Sequence, residues 1–171
     1  MLTDFHTHIF PDKMADKTIK LLESNIKEEY RPHKAELRGT LDALKQSMRE
    51  NNVDISLVLP IATNVKQSTT INNFAASING IDGIYSLGSL HPMQSDWESV
   101  LYDIKEKGLK GIKLHPEYQQ FYIDSKESIQ ILKKCEELDL ITVLHSGKDI
   151  GIDPPVHCTP ERLSHVLDYV K

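Results

Sequence analysis

The sequence has 171 residues, of which 39% are hydrophobic and 26% charged, a composition typical of a soluble globular domain with one core. The formal net charge is -5, and the Lys and Arg residues are scattered, which argues against nucleic acid or an anionic membrane surface as a partner. No apolar run approaches the roughly 20 residues that span a bilayer. We therefore expect a cytoplasmic protein that acts on a small molecule. The cysteines, Cys135 and Cys158, lack CxxC spacing and are expected to be reduced thiols.

Five short apolar segments rich in β-branched residues are predicted to be strands. Their nearly continuous apolar character is typical of parallel strands that are covered on both faces. The predicted strands comprise residues 2–5, 53–59, 84–90, 111–114 and 140–144.

The intervals between these strands carry apolar residues at helical spacing. An additional helix is predicted around residues 14–27. In the fourth interval, the predicted apolar face consists of Ile129, Leu132 and Cys135. The predicted N-caps and capping boxes are, in chain order, Thr40, Ser95 with Glu98, Asp124 with Glu127, and Thr159 followed by Pro160.

Five strand-helix units in strict alternation predict an α/β fold with right-handed crossovers, either a doubly wound sheet or part of a (β/α) TIM-type barrel. A complete barrel has eight units and typically about 250 residues. If the fold is a barrel, residues 1–171 form a single domain that holds the first five of eight units. We then expect the first and fifth strands to be unpaired edges.

The motif DFHTH at residues 4–8 ends the first predicted strand. His6 and His8 are two residues apart, so on a strand both imidazoles point to the same face and can converge on one ion. Neutral imidazole nitrogen suits zinc and related divalent ions. The alternative is a pair of structural histidines in an exposed turn. The position at the C-terminal end of a strand, where barrels carry their chemistry, favours the metal hypothesis.

The motif VLHSG places His145 at the end of the fifth predicted strand, where an apolar run gives way to a glycine-containing loop. A buried histidine that bonds a backbone carbonyl is the structural alternative. Together with His6 and His8, His145 would supply a third nitrogen ligand. Three protein ligands and a water are typical of an open catalytic zinc site.

Two further predicted strands end in Leu-His-Pro, at His91 and His115. For His91 we favour a structural role. His115 has the same strand parity as Lys113, so both should point into the barrel if Leu114 packs outward against the helices. With Tyr118, in the polar segment that follows, they are candidate contacts to the substrate or to the metal's surroundings. No P-loop, GxGxxG or GxSxG motif is present.

The order of these motifs resembles the amidohydrolase 2 branch of the amidohydrolase superfamily, which includes aminocarboxymuconate semialdehyde decarboxylase. The resemblance runs through most of the chain. The segments that carry it are DFHTHIFP, GTLDALKQSMRENNVDISLVLPIAT, GSLHP, GLKGIKLHPEYQQF, VLHSG and CTPERLSHVLDYV.

The resemblance implies a distorted barrel with one or two metal ions at the C-terminal ends of the strands. His6, His8 and His145 match three ligand positions, for Zn²⁺ or another divalent ion such as Mn²⁺. The family's strand-six histidine and its strand-eight aspartate, which handles the proton of the attacking water, would lie beyond Lys171. In some relatives a carboxylated lysine bridges two metals, and Lys113 is the local candidate.

The implied activity is hydrolysis of an amide, ester or lactone in a small molecule by a metal-activated water. The alternative within the family is non-oxidative decarboxylation of an unsaturated or aromatic acid. A third hypothesis is a non-catalytic metal-binding fragment or an oligomeric half-barrel, for which a homo-oligomer is expected.

Overall fold

Five parallel strands alternate with helices through residues 1–26 and 34–171, which are the residues that the computed structural model describes. The strands are β1 (Thr3–Thr7), β2 (Ile55–Val58), β3 (Ile84–Ser86), β4 (Gly111–Leu114) and β5 (Ile141–Leu144). The helices are α1 (Asp12–Asn25), α2 (Leu41–Glu50), α3 (Ser68–Ile78), α4 (Trp97–Glu106), α5 (Pro116–Gln119), α6 (Lys126–Glu137) and α7 (Pro160–Val166). The end predicted for the first helix, residue 27, lies outside the described residues.

The strands are arranged in the order in which they occur in the chain. β1, β2 and β3 form one parallel sheet, and β4 pairs with β5 in another. A parallel bridge joins the two sheets, since the Gly88 N–H donates to Gly111 O and the Lys113 N–H donates to Gly88 O, both at 2.8 Å. The result is a partial TIM-type barrel of five strand-helix units, which confirms the predicted fold class.

Two apolar clusters hold the helices against the strands. The larger joins β4 to α4 and α6 and includes Leu101, Ile104, Ile112, Leu114 and Ile131, each with an exposed fraction of 0%. The smaller is formed by Ile9, Leu44, Met48, Val58, Ile78 and Ile84. Cys135 and Cys158 are buried free thiols, as predicted. Among the described residues, no helix is both long and apolar enough to cross a membrane.

The predicted caps of α2 and α7 are confirmed. The Thr40 and Thr159 hydroxyls accept backbone N–H groups at 3.2 and 3.3 Å in the first turns of these helices. The capping box at Ser95 is wrong. α4 begins after Asp96, and no side chain caps it. The Asp96 carboxylate accepts a bond from the Gln94 amide at 3.0 Å instead, so it is turned away from the helix.

The start predicted for α6 is one residue too early. Ser125 is the cap, whereas the Asp124 carboxylate accepts a bond from Arg162 Nη1 at 2.6 Å and ties this turn to α7. The apolar face is shifted as well, because Ile131 is fully buried while Ile129 is only half-buried. The Asp124 side chain, which the sequence pattern predicted to be the cap, thus forms an ion pair with α7 instead.

The two outer strands, β1 and β5, are more exposed than the strands between them. Most of β1 is exposed, including Phe5 at 61%, and Ile141 at the start of β5 is 62% exposed. Among residues 1–26 and 34–171, no strand pairs with the outer edge of β1 or of β5. The edges that were expected from a five-unit barrel are therefore present, and apolar side chains lie on them.

Gly111 allows β4 and β5 to approach each other, because a Cβ atom there would lie 2.1 Å from Ile141 O. We expect Gly111→Ala to lower the free energy of unfolding by about 3 kcal/mol or more, since backbone has to move to relieve the clash. Gly80→Ala is the matched control. Its Cβ would meet nothing within 4 Å, and only its positive φ of 84° makes it unfavourable, by roughly 1–2 kcal/mol. Urea unfolding of both variants tests this, and equal losses would contradict the close approach.

Candidate metal centre

His6 and His8 form a pair of imidazoles at the end of β1. Their Nε2 atoms are 3.1 Å apart. His8 Nδ1 lies 2.8 Å from Leu59 O, and because a carbonyl only accepts, this nitrogen carries the ring proton. In the neutral ring, Nε2 of His8 then carries a lone pair, and this lone pair is directed at His6. Two nitrogens that are each about 2.0–2.1 Å from one zinc ion are separated by at most roughly 4.2 Å, so this pair can share an ion.

Both rings are held in the neutral form that binds metals. Burial of the ring lowers the pKa of His8 to about 4, against the opposing effect of its bond to Leu59 O, even though part of the residue is exposed. Burial also lowers the pKa of His6, and the nearby charges of Lys113 and His145 lower it further. Each neutral ring keeps one nitrogen with a lone pair for a metal, and in His8 this is Nε2, which lies at hydrogen-bond distance from His6 Nε2.

A second group of possible ligands lies at the ends of β4 and β5. His115, His145 and Asp149 place their nearest ligand atoms within 4.8 Å of one another. The His115 and His145 rings are stacked, with centroids 3.9 Å apart and planes at 10°. Asp149 Oδ2 lies 3.7 Å from His115 Nε2 and 3.9 Å from His145 Nε2. Asp149 was not predicted, because it follows His145 in an irregular loop whose path no periodicity indicates.

The predicted trio of His6, His8 and His145 remains a prediction. Within the described residues, the group of three ligand atoms lying within 4.8 Å is the one that contains His115 and Asp149, not the one that contains the β1 pair. The two groups are nevertheless neighbours, because His145 is close enough to lower the pKa of both His6 and His8 electrostatically. His145 is therefore the residue that connects the pair on β1 with the cluster on β5.

His115 differs from the other histidines in how its ring nitrogens are used. It caps α5, and its Nδ1 accepts the Tyr118 N–H at 3.3 Å, so in the neutral ring the proton is on Nε2. Tyr118 also stacks on the ring, with centroids 4.2 Å apart. Burial, followed by the charge of His145, lowers the pKa of His115 to about 3. His115 is thus a neutral, fixed N–H donor that faces Asp149.

Lys113 is the buried cation of the site. Its exposed fraction is 0%, and its Nζ has no hydrogen-bond partner. Burial lowers its pKa to about 8, and its charge in turn lowers the pKa values of all four neighbouring histidines. Leu114 packs in the helix-facing core, so the strand has the parity that was expected for Lys113.

Residues after β4 were expected to form a polar loop, but residues 116–119 form the short helix α5. Its Gln119 is buried and bonds three backbone groups: the amide donates to Ala62 O and Leu90 O, and the oxygen accepts the His115 N–H, all at 2.7–2.8 Å. This side chain fixes the ends of three successive strands. His91 has the structural role expected for it, since its Nδ1 accepts a backbone N–H at 3.2 Å.

A buried acid-imidazole pair secures the loop that carries Asp149. Glu117 Oε2 lies 2.6 Å from His157 Nδ1, and Glu117 Oε1 accepts the His157 N–H at 2.7 Å. Both side chains are buried. Sequence reasoning missed this pair because its members are 40 residues apart. Glu117 is fully engaged here, which leaves Asp149 as the carboxylate turned toward the two stacked histidines.

The residues fit a divalent ion. His145 Nε2 is buried without a hydrogen-bond partner, an arrangement that is costly unless something binds this atom. His8 Nε2 has its lone pair free, and the bond from its Nδ1 to a carbonyl is the usual support of a metal-binding histidine. Nitrogen ligands with one carboxylate nearby suit zinc, manganese and related ions.

No protein-family model matches the sequence, and the search of curated proteins finds no match. Solved structures do match in fold. One is an amidohydrolase II, with a TM-score of 0.64 and 17% identity, covering 90% of this chain and 53% of that chain. Another is the 5-carboxyvanillate decarboxylase from Novosphingobium aromaticivorans, complexed with manganese and a nitrobenzoic acid, with a TM-score of 0.61, 15% identity and coverages of 87% and 51%.

A third match is a "probable 2-pyrone-4,6-dicarboxylic acid hydrolase" from Acinetobacter baumannii, with a TM-score of 0.51, 14% identity and coverages of 85% and 49%. At such identities the likeness establishes the fold. The chain has the fold of amidohydrolase-superfamily enzymes, among which are hydrolases and decarboxylases, and the predicted resemblance is confirmed at this level. The chain spans about half the length of the solved structures that it matches.

Replacing the buried ammonium should stabilise the metal-free protein. The unfolded Lys113 stays protonated up to about pH 10.5, whereas the folded one loses its proton near pH 8, so burial of the charge destabilises the fold at pH 7. We expect Lys113→Met to raise the free energy of unfolding by about 3 kcal/mol at pH 7. The gain should shrink as the pH rises from 8 to 10.5.

Urea unfolding across this pH range measures the effect. Lys110→Met is the matched control because Lys110 is exposed and directly precedes the same strand, so its removal should change stability by less than about 0.5 kcal/mol. A gain for Lys113→Met that is the same at pH 7 and pH 10 would mean that it comes from packing of the Met side chain and not from removal of a buried charge.

Proposed function

We propose that this chain belongs to the amidohydrolase superfamily and acts as a divalent-metal-dependent hydrolase on an amide, ester or lactone of a small molecule. The observation that carries the proposal is the set of neutral imidazoles at the strand ends, with the buried, unpartnered His145 Nε2 among them. The fold is that of metal-dependent enzymes, and one of the matching structures contains manganese.

His6, His8 and His145 are the proposed ligands, with Zn²⁺ or Mn²⁺ as the ion. When bound, such an ion supplies a Lewis acid that polarises a substrate oxygen and lowers the pKa of water. The chain itself fixes the ligands. The Leu59 carbonyl holds the His8 ring in the tautomer whose Nε2 is free, and lowered pKa values keep His6 and His8 unprotonated at neutral pH.

Lys113, His115 and Tyr118 are proposed to bind the substrate or to orient the groups that do. A buried ammonium without a partner favours an anion beside it, and a carboxylate on the substrate satisfies this requirement. The His115 Nε2–H is a fixed donor that can orient a group beside the ion without any change of protonation. Burial, and then the charge of Asp149, raise the pKa of Tyr118, which keeps it a phenol.

Decarboxylation is the second candidate function. Several matching structures are decarboxylases of aromatic acids, by name those of 5-carboxyvanillate and 2,6-dihydroxybenzoate. The same cation at Lys113 would hold the carboxylate that leaves or a neighbouring one. Decarboxylation requires that the site deliver a proton to carbon. A hydrogen-bond donor close to the proposed ligands is needed for decarboxylation and for hydrolysis alike.

The chain is proposed to provide five units of a single-domain barrel that three further units complete. The uncovered outer edges of β1 and β5 and the half-length match to solved structures support this. The strand-eight aspartate would then be contributed by those further units. A homo-oligomer in which a second copy covers the edges is the alternative, and the partner in the reaction is a small molecule, not nucleic acid or a membrane.

We expect His8→Ala to lower the affinity for Zn²⁺ and Mn²⁺ by more than about 100-fold, because loss of a ligand costs more than loss of a supporting bond. His165→Ala is the control, since His165 is half-exposed on α7 and pairs with Asp124 instead of with a residue of the site. Metal analysis after dialysis and competition with a chromogenic chelator measure both. Metal content that is unchanged in both His6→Ala and His8→Ala would make the pair structural.

The reaction is tested with probes for both activities, supplied to the Zn²⁺- and Mn²⁺-loaded protein. We expect 2-pyrone-4,6-dicarboxylate to be hydrolysed, with loss of the pyrone absorbance and no release of CO₂, only when the further units that carry the strand-eight aspartate are present. Release of CO₂ from 5-carboxyvanillate or 2,6-dihydroxybenzoate would support the decarboxylase instead. Turnover of the probes that persists after removal of metal and in His8→Ala would contradict a metal-dependent enzyme of either kind.

A further inference from the structure

Asp149 is held so that one carboxylate oxygen faces the histidines. Its Oδ1 accepts the Gly151 N–H at 2.8 Å, which closes a tight turn and fixes the plane of the carboxylate. Its Oδ2 is directed at the two stacked rings, at 3.7 Å from His115 Nε2 and 3.9 Å from His145 Nε2. The side chain is only 10% exposed. A carboxylate in this position needs a partner, and neither distance is a hydrogen bond.

The two histidines near Asp149 offer different chemistry. His145 Nε2 is buried and without a hydrogen-bond partner, so it can give a lone pair. His115 cannot, because its Nδ1 is committed to the Tyr118 N–H and the proton of the neutral ring is on Nε2. The three residues are close enough to hold a metal. Their hydrogen bonds, however, leave lone pairs on Asp149 and His145 and an N–H on His115.

An oxygen and a nitrogen that each lie about 2.0–2.2 Å from one zinc ion are separated by at most roughly 4.4 Å, and Asp149 Oδ2 and His145 Nε2 are within this limit. Carboxylates that bind metals are usually hydrogen-bonded by a second residue. The His115 Nε2–H faces the same oxygen and can provide that bond.

We propose that Asp149 Oδ2 is a carboxylate ligand of the metal centre and that His115, instead of binding the ion, orients this carboxylate through its Nε2–H. This inference rests on the proposed metal-dependent function. It gives residues 1–171 a carboxylate ligand of their own in addition to any that further units of a barrel supply. The centre would then combine imidazoles from β1 and β5 with an oxygen from the loop after β5.

The test is titration of the metal-free full chain with Co²⁺, followed by its visible absorption, since the spectrum reports the ligand set as well as the affinity. Asp149→Asn keeps an oxygen for the Gly151 N–H and removes the charge. We expect it to weaken Co²⁺ binding at least ten-fold and to change the spectrum. Asp82→Asn removes an exposed carboxylate that pairs with Lys45 far from the site, and should bind Co²⁺ as the wild type does.

Two variants separate the roles of His115. His115→Asn keeps an acceptor for the Tyr118 N–H but has no donor at the Nε2 position, so Co²⁺ affinity should fall about 10-fold. His115→Gln can place an amide N–H near the Nε2 position, so it should retain most of the affinity and the wild-type spectrum. Circular dichroism checks that each variant is folded.

Wild-type affinity and spectrum in Asp149→Asn, while His8→Ala still loses the metal, would overturn this inference and leave the proposed function intact. Equal and nearly complete loss of binding in His115→Asn and His115→Gln would overturn it also, because His115 would then be a ligand. A wild-type chain that binds no Co²⁺ would overturn the proposed function together with the inference.

Discussion

Two backbone hydrogen bonds at Gly88 join the two sheets that carry the candidate site. They join the sheet of β1 to β3 with the pair β4 and β5, through Gly111 O and the Lys113 N–H. A side chain at Gly88 would press on Ile104, since a Cβ there would lie 2.8 Å from its Cγ1. Without this junction, the imidazoles of β1 and those of β4 and β5 would belong to separate sheets. The short backbone contact thus sets the relative position of the two groups of metal-binding side chains.

Two histidines of the site, His8 and His115, are assigned their chemistry by the bond that the nitrogen facing away from the site makes. A carbonyl behind His8 leaves a lone pair in front, whereas an amide N–H behind His115 leaves a proton in front. The same residue type therefore provides a ligand on one strand and a donor on another. Burial lowers the pKa of both rings, and the nearby charge of Lys113 adds to it, so both histidines stay neutral near neutral pH.

The sequence pattern was sufficient for the order of the five strands and most helices, because parallel buried strands and amphipathic helices have distinct periodicities, but only the family resemblance favoured a barrel over a doubly wound sheet. It was sufficient for Lys113 and Leu114, whose alternation follows from strand geometry alone. It was not sufficient for Asp149, Glu117 and Gln119. Asp149 is positioned by an irregular loop, and the other two by bonds to residues 29–57 positions away. The misplaced cap at Asp124 has a similar cause, since a tertiary ion pair with Arg162 outweighs the local preference.

The sequential order of the strands has a consequence for how the protein folds. Each strand pairs with the one made just before it, so the contacts form between neighbouring parts of the chain and can develop as the ribosome releases it. His6 and His8 emerge first, but His145 and Asp149 join them only after β5 has docked on β4. If the proposed metal centre is correct, a nascent chain holds only half of its ligands until the fifth strand is in place, and firm binding of an ion is possible only after that step.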